Sequence, residues 1–137
     1  MKNKFLFILL IVLAACSGGR QQLLDEIKEK EAIVTKSYEG VLDKSTAESL
    51  RQDYLDFADE YPEDSLAPKF LHKAAELSLA IDMPKDAVST LDTLITRYPD
   101  YKYLPDALFF KGFIQENHMK DMAAAKKTYE DFLKRFP

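Results

Sequence analysis

A fixed spacing of prolines constrains this chain more than any other feature. Pro62 and Pro99 lie 37 residues apart, and Pro99 and Pro137 lie 38 apart. Each follows an aromatic residue: Tyr61, Tyr98 and Phe136. Proline disfavours helical backbone in the residue before it, so each aromatic–proline pair reads as a helix end. Pro68 and Pro105 fall six residues after two of these stops. There a proline suits the first turn of a new helix, where its missing N–H does little harm.

Between the stops the apolar residues recur at three and four positions, which is the period of an amphipathic helix. Leu50, Tyr54, Phe57, Ala58 and Tyr61 form one stripe, behind a capping-box pattern of Ser45 and Glu48. Phe70, Leu71, Ala74, Ala75, Leu77 and Ile81 form the next stripe. Ala87, Val88, Leu91, Leu94, Ile95 and Tyr98 follow, and Ala125, Tyr129, Phe132, Leu133 and Phe136 close the chain. The stretch from about Gln22 to Leu42 is a less regular helix, because Glu31 interrupts its stripe and Gly40 weakens its end. No segment alternates strictly, so the fold class is all-α.

Internal landmarks keep the same step. Ala75 precedes Ala87 by twelve residues, and Gly112 precedes Ala125 by thirteen. The surplus residue falls in the HMKDM turn. Leu91 and Tyr129 each stand four residues after the second alanine. This pattern resembles the tetratricopeptide repeat. That family sets a small residue in its first helix, an alanine in its second, a large residue four later and a proline at the close. The resemblance covers about residues 45 to 137, and Leu71 and Leu108 stand where the family usually has tryptophan. It implies antiparallel helix pairs stacked as a right-handed superhelical solenoid. Repeats are expected at about 63–99 and 100–137, behind a degenerate first repeat at about 23–62.

The N-terminus reads differently. Lys2 and Lys4 precede an apolar run from Phe5 to Ala15. About 11 residues are too few to span a bilayer, which needs about 20. The run fits the apolar region of an export signal over residues 1–15. It ends in Leu13-Ala14-Ala15-Cys16, which resembles the lipobox of bacterial lipoproteins. By that resemblance Cys16 is the lipid attachment point. As the sole cysteine, it has no partner for an intrachain disulfide. Residues 16–22 then read as the lipidated cysteine and a flexible, glycine-rich tether.

Cleavage before Cys16 leaves 17 basic and 23 acidic residues, a net charge of −6. That acidic balance argues against nucleic acid as a partner and against polybasic docking on lipid. Membrane attachment is expected through acyl chains alone. With the long loop between repeats, the lipobox makes the chain similar to the outer-membrane lipoprotein family related to BamD. The Tol-Pal-associated repeat protein has a similar loop. These resemblances imply a Gram-negative envelope location, at the outer membrane facing the periplasm.

The sequence offers no catalytic constellation. His72 and Glu76 form the only i, i+4 pair of metal-ligand type, and a site needs more ligands than two. No phosphate-binding glycine loop or nucleophile elbow is present. No cofactor is expected beyond the lipid on Cys16. The chain is read as a binder of a protein or peptide, not an enzyme.

Repeat arrays commonly bind partners along the face lined by the first helix of each pair. Counting from the small residue of each repeat puts Lys69, His72, Glu76 and Leu79 on that face, followed by Asp106, Phe109, Phe113 and Glu116. Phe109 and Phe113 are either an aromatic contact patch or packing residues beneath a neighbouring helix. A second candidate interface is the terminal edge of Tyr129, Phe132, Leu133 and Phe136, which little else in the chain covers. Tyr101 and Tyr103 sit between two prolines, and the role of punctuation does not require them.

Overall fold

A computed structural model describes the backbone of residues 2–37 and 41–137, and the side chains of residues 18–37 and 41–137. Six α-helices and no strands are present among the described residues: α1 (Lys2–Ser37), α2 (Lys44–Glu60), α3 (Ala67–Ala80), α4 (Pro84–Arg97), α5 (Leu104–Asn117) and α6 (Met122–Arg135). Each helix packs chiefly on its neighbours in sequence, the connectivity of a stacked helical solenoid. The side chains of residues 1–17, Cys16 among them, lie outside the described residues, as does Gly40.

The prolines act where their chemistry allows. Pro68, Pro84 and Pro105 occupy the first or second position of α3, α4 and α5. Tyr61, Tyr98 and Phe136 are the C-caps of α2, α4 and α6, with ψ of 57°, 64° and 71°. Each cap N–H donates to a carbonyl four residues back, on Phe57, Leu94 and Phe132. The Tyr98 hydroxyl also donates to the Pro62 carbonyl oxygen at 2.9 Å, which ties one helix end to the preceding one. The surplus residue lies in the α5–α6 turn, as the spacing predicts. That turn and its α3–α4 counterpart each hold one residue at positive φ, Lys120 and Asp82.

Two apolar clusters run through the stack. The first joins Ile27 and Val34 of α1 to Leu50, Tyr54 and Phe57 of α2 and Phe70 and Leu77 of α3. The second joins Ala58 of α2, Leu71 and Ala75 of α3, Leu91 and Leu94 of α4 and Ile114 of α5. Burying a large side chain of this kind contributes about 1.5–3 kcal/mol. The first cluster spans α1 to α3 and the second α2 to α5, so α2 and α3 contribute to both.

The small residues trade volume with their partners across each pair. Ala75 and Leu91 are both buried in the second cluster. In the next pair the corresponding residues are Gly112 and Tyr129. A Cβ on Gly112 would lie 2.5 Å from Tyr129 Cε1, so the larger ring takes the place of the missing methyl.

The structure corrects two readings of the sequence. The N-cap of α2 is Asp43, whose carboxylate accepts from the N–H groups of Ser45 and Thr46 at 3.0 and 3.4 Å. Ser45 already lies inside the helix, and Glu48 reaches sideways to Arg51 instead of back to a cap. The flexible tether expected over residues 16–22 is also absent, because α1 runs unbroken through Gly18 and Gly19. Arg20 Nε donates to Asp64 Oδ2 at 2.7 Å, and its guanidinium lies 5.8 Å from the Phe57 ring centroid. Gly19 faces the Tyr61 hydroxyl closely enough that a Cβ would sit 3.3 Å from it.

Glu31, which breaks the apolar stripe of α1, has a structural purpose. It accepts from the Tyr54 hydroxyl at 2.6 Å and from the Lys73 ammonium. Burial pushes its pKa up, but these two donors outweigh burial and hold it below the usual carboxylate range. Lys30, the residue before Glu31, pairs its Nζ with Asp53 at 2.6 Å. Polar contacts therefore fix α1 as firmly in register as its few apolar ones.

Candidate functional site

The loops before α3 and α5 are built alike. Asp64 N–H donates to the Tyr61 carbonyl and Ala67 N–H to the Asp64 carbonyl; Tyr101 and Leu104 repeat this from Tyr98 and Tyr101. Tyr101 thus holds the slot that Asp64 holds one repeat earlier. Asp64 turns its side chain inward, accepting from the Leu66 N–H and from Arg20. An aromatic ring in that slot cannot make those bonds, and Tyr101 instead forms part of the wall of a cleft.

This cleft has a volume of about 630 Å³ and lies where α3, α5 and the linker between Tyr98 and Leu104 meet. Lys69, His72, Lys73 and Glu76 reach it from α3, and Asp106 and Phe110 from α5. Tyr101, Lys102 and Tyr103 line it from the linker. The rings form a connected set. Tyr101 and Tyr103 have centroids 5.6 Å apart at 74°, and His72 lies 6.3 Å from Tyr101 and 6.4 Å from Phe110. Burial pushes the Tyr101 hydroxyl pKa up, and the acidic groups around it, Tyr103, Glu76 and Asp106, push it further.

Four of the eight groove residues predicted from the sequence, Lys69, His72, Glu76 and Asp106, converge on this cleft. The other four do not. Leu79 is half-buried against the second apolar cluster. Phe109 and Glu116 turn toward α6, and Phe113 lies farther along α5. Phe109 lies 5.7 Å from the Tyr129 ring and 6.0 Å from Phe132, and Phe113 lies 5.8 Å from His118. Glu116 accepts from the Tyr129 hydroxyl at 3.0 Å. The cause is geometric: the cleft spans only the first two turns of α5, where Asp106 and Phe110 share a face at i, i+4. Phe113 is two turns beyond Asp106, and Phe109 and Glu116 are rotated toward α6.

Sequence counting missed Lys73, Tyr101, Lys102, Tyr103 and Phe110. For the two tyrosines a signal existed, since neither helix packing nor helix termination needs an aromatic residue there. Among the described residues, no group of three or more His, Cys, Asp or Glu converges as metal ligands would. His72 Nε2 lies 4.0 Å from Glu76 Oε1, a long contact between two cleft-lining groups.

The terminal edge forms a continuous surface with Phe109. Phe132 bridges Phe109 and Phe136, with the latter centroid 5.7 Å away. Leu133 is 65% exposed and Phe109 52%. Tyr129 and Leu133 also border a shallower hollow of about 290 Å³ with Met122 and Ala125.

A search of curated proteins finds no match to this chain. Residues 70–101 and 106–137 each match the family model of the tetratricopeptide repeat, and these two segments hold most of the α3–α4 and α5–α6 helix pairs.

Proposed function

We propose that this protein is a membrane-anchored interaction scaffold of the bacterial envelope, held by lipid on Cys16 and gripping an extended segment of a protein partner in the α3–α5 cleft. The observation that carries the reading is the cleft itself. It sets three aromatic rings beside charged groups on the helix face that repeat arrays use for partners, and that mixture suits a binding hot spot. The tetratricopeptide repeats support a protein–protein role. The lipobox pattern supports the anchor, and the long inter-repeat loop favours work in outer-membrane protein assembly or in coordination of envelope and cell wall.

Photo-crosslinking in cells tests the scaffold reading. A photoreactive residue replacing Lys102 at the cleft should yield a discrete crosslinked partner. The same residue replacing Thr96 on α4 should not, and Tyr103→Ala should abolish the product. Equal products from both positions would refute the cleft as the docking site. Recovery of neither barrel-assembly nor Tol-Pal components would remove the finer role. For the anchor, Cys16→Ser should end labelling by radioactive palmitate and release the protein from membranes.

A second reading, capture of a free peptide or glycan by a lipoprotein, is favoured by the cleft volume. It falls within the range of about 300–1,000 Å³ usual for small-ligand sites. Calorimetric titration with peptide and glycan panels discriminates it, with binding lost in Tyr103→Ala and Phe110→Ala.

A further inference from the structure

The charges around the cleft are not equivalent. Lys73 is engaged by Glu31 of α1, and the charge of Lys69 also bears on Glu31. Lys102 places its ammonium 4.5 Å from the centroid of Tyr103. Lys73 and Lys102 thus already have acidic or aromatic company within the chain. The carboxylates differ. Asp106 has no ion-pair or hydrogen-bond partner among the described residues, and Glu76 has only the long contact to His72. Both lie close enough to act on the hydroxyl of Tyr101. Lys102 over Tyr103 places a cation at cation–π distance from one ring of the cleft wall.

We propose that the cleft recognises a basic side chain, arginine above all, in an extended segment of a protein partner, held between Glu76 and Asp106 and against the rings of Tyr101, Tyr103 and Phe110. This names the chemistry of the docking site in the scaffold reading and rests on that reading. Arginine fits better than lysine because its planar, weakly hydrated guanidinium stacks on rings and donates to two carboxylates at once. An acidic ligand that pairs with Lys73 must compete with Glu31 for it.

A phage-displayed library of random heptapeptides, selected on the full-length protein in mild detergent, tests the inference. Arginine, with lysine second, should be enriched at one position of the selected sequences. Replacing that arginine by citrulline, which keeps the shape and removes the charge, should weaken binding about tenfold. The double variant Glu76→Gln/Asp106→Asn should bind the arginine and citrulline peptides alike. Circular dichroism establishes that the variant is folded, as expected for neutral amides at exposed positions. Enrichment of acidic residues, absence of any charge preference, equal binding of the citrulline peptide or failure to select any sequence would each overturn the inference. If crosslinking from position 102 succeeds while selection shows no basic preference, the scaffold reading stands and this inference falls.

Discussion

Gly112→Ala sets two known magnitudes against each other. Alanine favours helix over glycine by about 1 kcal/mol, so on propensity alone the change stabilises α5. The structure puts the new Cβ 2.5, 2.9 and 3.0 Å from three atoms of the Tyr129 ring, well inside contact distance. Overpacking of this kind costs about 1–3 kcal/mol. Tyr129 is half-buried and can swing outward, but doing so surrenders its hydrogen bond to Glu116 and its contact with Phe109. The expected net effect is a loss of about 1 kcal/mol, or about 4 °C in Tm for a chain of this size. Urea denaturation of the full chain, followed by far-ultraviolet circular dichroism, measures it. In a Tyr129→Ala background the clash disappears, and Gly112→Ala should become stabilising by up to about 1 kcal/mol, a coupling of about 2 kcal/mol. If Gly112→Ala stabilises the wild-type chain and Tyr129→Ala leaves that gain unchanged, the volume trade between α5 and α6 is refuted.

Asp43→Ala should cost about 1 kcal/mol in the same assay, as expected for removal of an N-cap, while Ser45→Ala costs little; equal losses would restore Ser45 as the cap. Thr128→Val leaves the buried Gln115 Oε1 without the hydroxyl that donates to it at 2.7 Å, and should cost about 1–3 kcal/mol. Acid should destabilise the fold through Glu31 and Asp64, whose pKa values lie below the ordinary carboxylate values of 4.5 and 3.8. The stability they contribute is complete above about pH 4.5 and is lost as the pH falls through their lower folded values, because the unfolded chain then binds protons the folded chain does not. The urea midpoint should therefore drop between pH 7 and pH 3, and drop less in Glu31→Gln.

The solenoid was legible because its determinants are local and periodic. Pro62 and Pro99 stop helices by backbone sterics, and Ala75, Ala87 and Gly112 recur where helices approach. The long-range ion pairs were not legible. Glu31 looks like a flaw in the α1 stripe until Lys73, 42 residues later, is seen to meet it. The cap of α2 was misread because Ser45 and Glu48 satisfy the pattern, while Asp43, two residues earlier, captures the same backbone donors. Half of the predicted groove residues line the cleft, since counting along a helix fixes a face. The other half failed because counting does not say how far along the helix the cleft extends. Tyr101 and Tyr103 came from a linker, where no helical period applies and only the comparison of Asp64 with Tyr101 reveals the difference.

The burial of the helices is uneven along the stack. Six side chains of α2 and eight of α3 are buried, but in α6 only Ala125 and Thr128 are. In an array where each unit is steadied only by its neighbours, such a helix opens at a small fraction of the global unfolding free energy. Amide exchange should therefore quicken from α3 toward α6, with the last helix fraying many times for each unfolding of the whole chain. Each opening uncovers the side of α5 that carries Gly112 and Gln115.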